Sequence, residues 1–370
     1  MKPVNSNPVA SAAMKCVFFL CSKEIMAENP TAANTATAPG PGAQKGGEIK
    51  ASPRIMMQGG AYYMLMFHER EEDLTKIVGR ATKQGYDVLR KGGTAVDAVE
   101  KAVRILEGNE YFNAGRGSLL NKDGEVECDA LIMDGSTLNT GAVMAARHFK
   151  NPISISRKIM DESPHCAFSA DGALAFAKEK GFDKYICEPQ DLITDKAKSV
   201  KDKYKFGDFV EEVFPGNNPC EHDDYDDNHD TVSAVALDSN GHFACATSTG
   251  GIPGKSKGRI SDAPLVGCGG YANEFGAATT SGHGESLMKM TLAREVVFNM
   301  EKLGQDAQLA TKSAVQDMEK RIQGYGCAIA IDKNGNFGKA ANSSVMIWAQ
   351  MADDKMELGM ERELKFKYDD

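Results

Sequence analysis

The chain has 370 residues, 42% of them hydrophobic, enough to bury a substantial core in one large domain or two ordinary ones. A formal net charge of −9 and a pI near 5.4 argue against a broad nucleic-acid surface, because polyphosphate binding relies on clustered Lys and Arg and the basic residues here are scattered. Nine cysteines, an odd number with no C-x-x-C pair, fit neither a disulfide framework nor a zinc knuckle and point to reduced thiols in a cytosolic protein.

The apolar run Val17-Phe18-Phe19-Leu20 is too short for a secretory signal and ends at Lys23 and Glu24. No stretch approaches the roughly 18 apolar residues of a membrane helix, so a soluble, cytoplasmic protein is expected. Residues 27–50 are rich in Ala, Thr, Pro and Gly, and 1–53 are expected to form a disordered extension.

Folding is expected to begin near Arg54, with a short strand ending in the glycine turn Gln58-Gly59-Gly60. Glu71 to Lys91 carries helical spacing and stops at Gly92-Gly93. Thr94, with Asp97 three residues on, caps a second helix whose buried stripe is Val96, Val99, Val103 and Leu106. Phe112-Asn113-Ala114-Gly115-Arg116-Gly117-Ser118 alternates small residues and permits tight turns. Val126 to Met133 reads as a strand and Ala167 to Lys180 as a short helix. From about 188 to 230 the hydrophobic period fades and acidic charge rises, which predicts an exposed linker.

Beyond it the pattern changes. Thr231 to Leu237 and His242 to Ser248 read as a hairpin about Asp238-Ser239-Asn240-Gly241. Helices are expected over 285–302 and 306–322, then a second hairpin of 326–331 with 337–346. Paired helices and paired hairpins suggest an α+β fold with stacked sheets between outer helices.

Thr231 heads a buried strand directly after the acidic run, which by itself is ordinary β-propensity. It could also be a nucleophile. A threonine at a chain terminus carries its own base, since an α-amine with a reference pKa of about 7.7–8.0 can be neutral near pH 7 within reach of its own Oγ. That chemistry needs scission between Asp230 and Thr231, because an amide nitrogen is no base.

Several separated motifs, in order, decide between these readings. His229-Asp230-Thr231-Val232 through Gly251, Gly258-Arg259-Ile260-Ser261-Asp262-Ala263-Pro264 and Gly282-His283-Gly284-Glu285 resemble the plant-type L-asparaginase / isoaspartyl peptidase family of N-terminal-nucleophile hydrolases. Upstream, Gly92-Gly93-Thr94-Ala95-Val96-Asp97-Ala98-Val99-Glu100, Phe112-Asn113-Ala114-Gly115 and Ile132-Met133-Asp134-Gly135 extend the resemblance over roughly residues 54 to 350.

The resemblance implies a four-layer α/β/β/α sandwich and autoproteolysis into an α chain, 54–230, and a β chain, 231–370, that fold as one domain. It implies Thr231 as nucleophile, oriented by Thr249, and an oxyanion hole of the Ser281 hydroxyl and the Gly282 N–H. Asn113 would help fix the site. Arg259 and Asp262 would hold the carboxylate and ammonium of an amino-acid head. Leu106, Glu107, Asn109, Phe112, Ala114 and Arg116 would offer backbone carbonyls to a structural sodium, with no other cofactor. A homodimer of processed αβ units is implied, acting on L-asparagine or an isoaspartyl dipeptide, without nucleic-acid or membrane partners.

Four positions depart from the family pattern. Asp230 and Ser233 replace glycines on either side of Thr231-Val232, Gln58 stands where a His-Gly-Gly is common, and Ser281 replaces a threonine. Asp before the threonine is usual in glycosylasparaginases and the threonine aspartase. Gly250-Gly251 speaks against the first and Asp262 against the second. An uncleaved binding or scaffold protein is a further alternative. So is metal chelation by His222, Asp223, Asp226 and His229, although such runs are more often solvated.

Overall fold

Alternation along the strands sorts apolar residues onto two faces. The computed structural model describes residues 51–62, 71–203, 228–229, 231–342 and 345–362. In it β1 (Arg54–Tyr62) sends Ile55 and Met57 into one apolar cluster and Met56 into another. Valine, alanine and leucine on β6 (Val232–Leu237) divide the same way, Val232, Ala234 and Ala236 against Val235 and Leu237. Both faces of these strands are covered, which is why their sequence is almost continuously apolar.

The two strands lie centrally in a nine-stranded sheet. Its other members are β2 (Cys128–Asp134), β3 (Thr140–Ala146), β4 (Ala167–Ser169), β5 (Asn228–His229), β7 (Phe243–Thr249), β12 (Val345–Ala352) and β13 (Lys355–Arg362). The order is β13-β12-β1-β6-β7-β2-β3-β4, with β5 also beside β1. The second sheet has four strands, β8 (Gly270–Asn273), β9 (Gly276–Gly282), β10 (Gly326–Asp332) and β11 (Phe337–Ala341), in the order β11-β10-β9-β8.

Three apolar clusters hold these elements. Helices α1 (Glu71–Arg90), α2 (Ala95–Glu107), α3 (Pro152–Glu162) and α4 (Ala170–Glu179) pack against one face of the large sheet. The opposite face, with Met56, Val235 and Leu237, meets Ile329 and Ile331 of the small sheet. On the small sheet's outer face, Ala278 and Ala328 meet α6 (Gly284–Met290), α7 (Leu292–Lys302) and α8 (Ala307–Ile322). The described residues from 51 to 362 belong to one compact unit.

Local signals explain the helix starts. Thr94 accepts from Asp97 N while the Asp97 carboxylate accepts from Thr94 N, a reciprocal cap worth about 1 kcal/mol. Val96, Val99, Val103 and Leu106 form the buried stripe of α2, as expected. Asp306 caps α8 by accepting from Leu309 N.

Other expectations need correction. Ala167–Ser169 is not helical but joins β3 as a parallel strand, and α4 starts only at Ala170. The expected 285–302 helix is two helices broken at Thr291, whose φ of 47° is left-handed; no Gly or Pro marks the break. Met346 belongs to β12 of the large sheet, not to the hairpin with β10, because the chain changes sheets between β11 and β12 and apolar periodicity cannot register the change. The linker reading fails at its start. A turn of 3-10 helix at Pro189–Leu192 and α5 (Asp195–Lys203) bury Leu192, Ala197 and Val200.

Gly338 lets β11 lie close against the start of α8: a methyl there would lie 2.0 Å from Ala307 O. Gly338→Ala is expected to destabilise the protein by about 1–3 kcal/mol through overpacking, read as a lowered midpoint in urea or thermal unfolding.

Candidate active site

Thr231 is 5% exposed and stands just ahead of β6. Pairing of Val232 with Ser248 sets Thr231 level with Thr249 on β7, and both residues line one narrow cleft. Gly251, Ile252, Arg259, Ser261, Asp262, Gly282 and Gly284 complete its wall. Of the residues singled out from sequence, Thr231, Thr249, Arg259, Asp262 and Gly282 therefore converge. Asp230 lies outside the described residues, as do His222, Asp223, Asp226 and the side chain of His229.

Backbone pairing changes register around this point. Gln58 pairs with Ser233, whereas Ala61 pairs with His229, so β1 keeps step with the chain on both sides of Asp230–Thr231 only by slipping one residue. Gly59 bulges in the same place against β12, and a methyl on it would come within 2.8 Å of Phe112 and Val78. This explains why the predicted glycine turn is instead a bulge inside a continuing strand.

Thr231 N donates to Ser281 Oγ at 3.2 Å, which brings the large sheet's strand end onto β9. A hydroxyl accepts and donates at once, so this contact leaves the oxyanion role chemically compatible with Ser281. Gly282 has a φ of 137°, and a methyl there would meet Gly326 Cα at 2.4 Å; only glycine fits. Thr249 Oγ1 accepts from Gly251 N at 3.0 Å, the local turn cap expected of a strand-end hydroxyl, while still facing the cleft. Asn113 acts as a strap. Its Nδ2 donates to Gly251 O, its Oδ1 accepts from Leu119 N at 2.9 Å and its carbonyl accepts from Gly250 N at 2.8 Å.

Arg259 does not present its whole fork to the cleft. Its Nε and Nη2 donate to the two Glu285 oxygens at 3.0 and 2.8 Å, and Glu285 also contacts His283 Nε2 at 3.1 Å. Burial alone would raise the Glu285 pKa, yet the His283 and Arg259 hydrogen bonds hold it well below the usual carboxylate range. A carboxylate ligand is left the Nη1 side, which faces Gly251. Asp262 is fully buried and accepts from Thr280 Oγ1 at 3.1 Å; burial pushes its pKa up to about 7, against the pull of Thr280 and Arg259. A guanidinium and a carboxyl group at one cleft suit a zwitterionic head.

Sequence reasoning missed what holds this loop. Glu125, Glu127 and Asp129 recur at every second position leading into and along β2. They take successive points of the loop: Lys257 Nζ at 2.8 Å, Gly258 N at 3.1 Å and Ser261 N at 3.2 Å. The acidic alternation was the available signal. Lys255, in the same loop, is wholly buried and donates to Glu127 O at 2.8 Å.

The carbonyl cradle around residues 106–116 can be tested for a cation. A methyl on Gly117 would lie 2.0 Å from Phe112 O and 2.8 Å from Asn109 O, and one on Gly115 would lie 2.6 Å from Glu107 O. Carbonyl oxygens thus crowd onto glycines that leave them room, a donor set that fits a hard cation. Among the described residues, no group of three His, Cys, Asp or Glu side chains could hold a metal ion.

A threonine-headed strand, a paired cation and anion, and this order of motifs define an amidohydrolase class. Residues 51–360 match the family described as Asparaginase, and the chain belongs to that family of hydrolases. It is similar to the isoaspartyl peptidase/L-asparaginase of Danio rerio, 42% identical over 309 residues, covering 83% of this chain and 95% of that protein. The proteins of the same name from Bos taurus and Homo sapiens are each 40% identical over 311 residues, covering 84% of this chain and 96% of theirs.

A carboxylate must be ionised to hold ammonium, so if Asp262 takes that role, acidification through about pH 7 should weaken binding there. Titration calorimetry with L-aspartate, which carries the head group and no scissile amide, is expected to show affinity falling about tenfold from pH 8 to pH 6. Asp262→Asn should bind weakly throughout without that slope, and a flat wild-type profile would count against the assignment.

Proposed function

We propose that the chain is an autoprocessed amidohydrolase that releases ammonia from L-asparagine or cleaves N-terminal isoaspartyl dipeptides. The convergence of Thr231 with Thr249, Arg259, Asp262 and Gly282 on one cleft carries this reading. The sheet-on-sheet core with helices outside both sheets supports the four-layer α/β/β/α sandwich of N-terminal-nucleophile hydrolases. The names of the relatives point to the same substrates.

Processing starts when Thr231 Oγ attacks the Asp230 carbonyl carbon. The C–N bond breaks, the Thr231 nitrogen takes a proton, and an ester joins Asp230 to Oγ. Water hydrolyses the ester and leaves a free amine. In turnover that amine accepts the Oγ proton as Oγ attacks the substrate side-chain carbonyl. Ser281 O–H and Gly282 N–H donate to the resulting oxyanion, and Thr249 orients the nucleophile. The amine returns its proton to the leaving nitrogen, which departs as ammonia or as the amine of the next residue. Water then releases aspartate from the β-aspartyl ester.

Arg259 takes the α-carboxylate and Asp262 the α-ammonium. A buried anion at the ammonium position favours this substrate class over a threonine-aspartase activity. Carbonyls of Leu106, Glu107, Asn109, Phe112, Ala114 and Arg116 would hold a structural sodium that stiffens the Asn113 loop. The reading also includes a cytoplasmic homodimer of αβ units.

Freshly purified protein is expected to run as two fragments split between Asp230 and Thr231 on denaturing electrophoresis. A permanently intact chain would favour the uncleaved binding protein instead. Thr231→Ala should abolish both cleavage and ammonia release. Arg259→Ala should raise KM for L-asparagine by roughly tenfold or more, with a smaller effect on kcat.

A further inference from the structure

Behind Thr231 the inner faces of the two sheets change from apolar to polar. Ser233 lies two residues beyond Thr231 on the same face of β6, and Thr279 lies two residues before Ser281 on the same face of β9. Ser233 Oγ and Thr279 Oγ1 are 2.8 Å apart, so the chain at β6 and β9 is hydrogen-bonded twice, once from Thr231 N to the Ser281 hydroxyl and once between hydroxyls a pleat further in. One pleat is roughly 7 Å.

Gln58 closes the arrangement. It stands opposite Ser233 on β1, and its Nε2 donates to Ser233 Oγ at 2.9 Å. Cys327 Sγ donates to its Oε1 at 2.9 Å, and Cys327 pairs with Ser281 across β10 and β9. The circuit runs from Thr231 through Ser281, Cys327, Gln58 and Ser233 back to β6, with Thr279 as a second bridge. All of its hydrogen bonds are buried.

Three of the four departures from the family pattern, Gln58, Ser233 and Ser281, meet in this circuit. A serine at 281 turns more freely about χ1 than the threonine it replaces. We propose that Gln58 and Ser233 are positioning residues for the Thr231–Ser281 contact, clamping β6 to β9 one pleat behind it and so restoring the fixed geometry that serine alone does not supply. The idea rests on Thr231 being the nucleophile. Neither residue touches substrate. A buried amide and hydroxyl are retained because each satisfies the other, and removal of one strands its partner.

The test uses the full-length chain, with Gln58→Leu, Ser233→Ala, their double variant and Ser233→Thr, each assayed on L-asparagine from pH 5 to 9 after confirming complete scission by electrophoresis. Each of the first two is expected to lower kcat roughly tenfold while KM stays within about twofold, because only transition-state geometry is lost. The double variant should resemble the singles instead of falling about a hundredfold, since both changes break one coupled unit. The acid limb of the kcat profile, set by the Thr231 amine, should shift in all three. Ser233→Thr, which keeps the hydroxyl, should restore wild-type kcat.

Ser233→Ala deletes one oxygen, so it decides the matter if Gln58→Leu impairs folding. Unchanged kcat in Ser233→Ala, multiplicative losses in the double variant, or a lowered melting temperature with an unmoved pH profile would each overturn the proposal while leaving the hydrolase reading intact. An uncleaved, inactive wild type would instead overturn the hydrolase reading, and this proposal with it.

Discussion

Hydroxyls on one sheet can reach hydroxyls on the other only where the two sheets come close, and the site depends on that spacing. The layer between them is graded. Met56, Leu237, Ile329 and Ile331 fill one part, whereas Ser233, Thr279 and Ser281 occupy the part nearest Thr231, with Cys327 at the edge of the apolar cluster. Small residues let β6 and β9 approach, and their polar atoms then need partners because they are buried from solvent. The hydrogen bonds from Thr231 to Ser281 and from Gln58 to Ser233 meet that requirement.

The cleft solves a second problem, that of keeping charges beside one another without letting them collapse together. Arg259 and Asp262 line the same wall, yet Arg259 spends two of its donors on Glu285. The guanidinium is thereby held in one orientation, and Asp262 remains available beside it. Burial of Asp262 disfavours its charge, and a cation placed beside it would offset that cost. The acids leading into and along β2 fix the loop that carries Arg259, which ties this wall of the cleft to the large sheet.

Much of this was legible in the sequence where a local rule carries the information. The Thr94 cap with Asp97, the stripe on α2 and the hairpin of β6 and β7 all follow from spacing. The separated motifs also named Thr231, Thr249, Arg259, Asp262 and Gly282 together. What remained hidden depends on residues far apart in the chain. Glu285 gains its role only by meeting Arg259, 26 residues away, and Gln58 by meeting Ser233, 175 residues away. The switch from β11 to β12 between sheets was invisible for a related reason: an apolar strand carries no mark of which sheet it joins.

Strand β1 runs alongside two segments that are close in sequence, pairing with β6 through Gln58 and with β5 through Ala61 and Tyr62. It is a splint laid along both. The one-residue slip between the two pairings lets a single strand keep β5 and β6 in one sheet although they are out of step with each other. Thr231, at the head of β6, therefore takes its place from backbone pairing on both edges of that strand, with β1 on one side and β7 on the other.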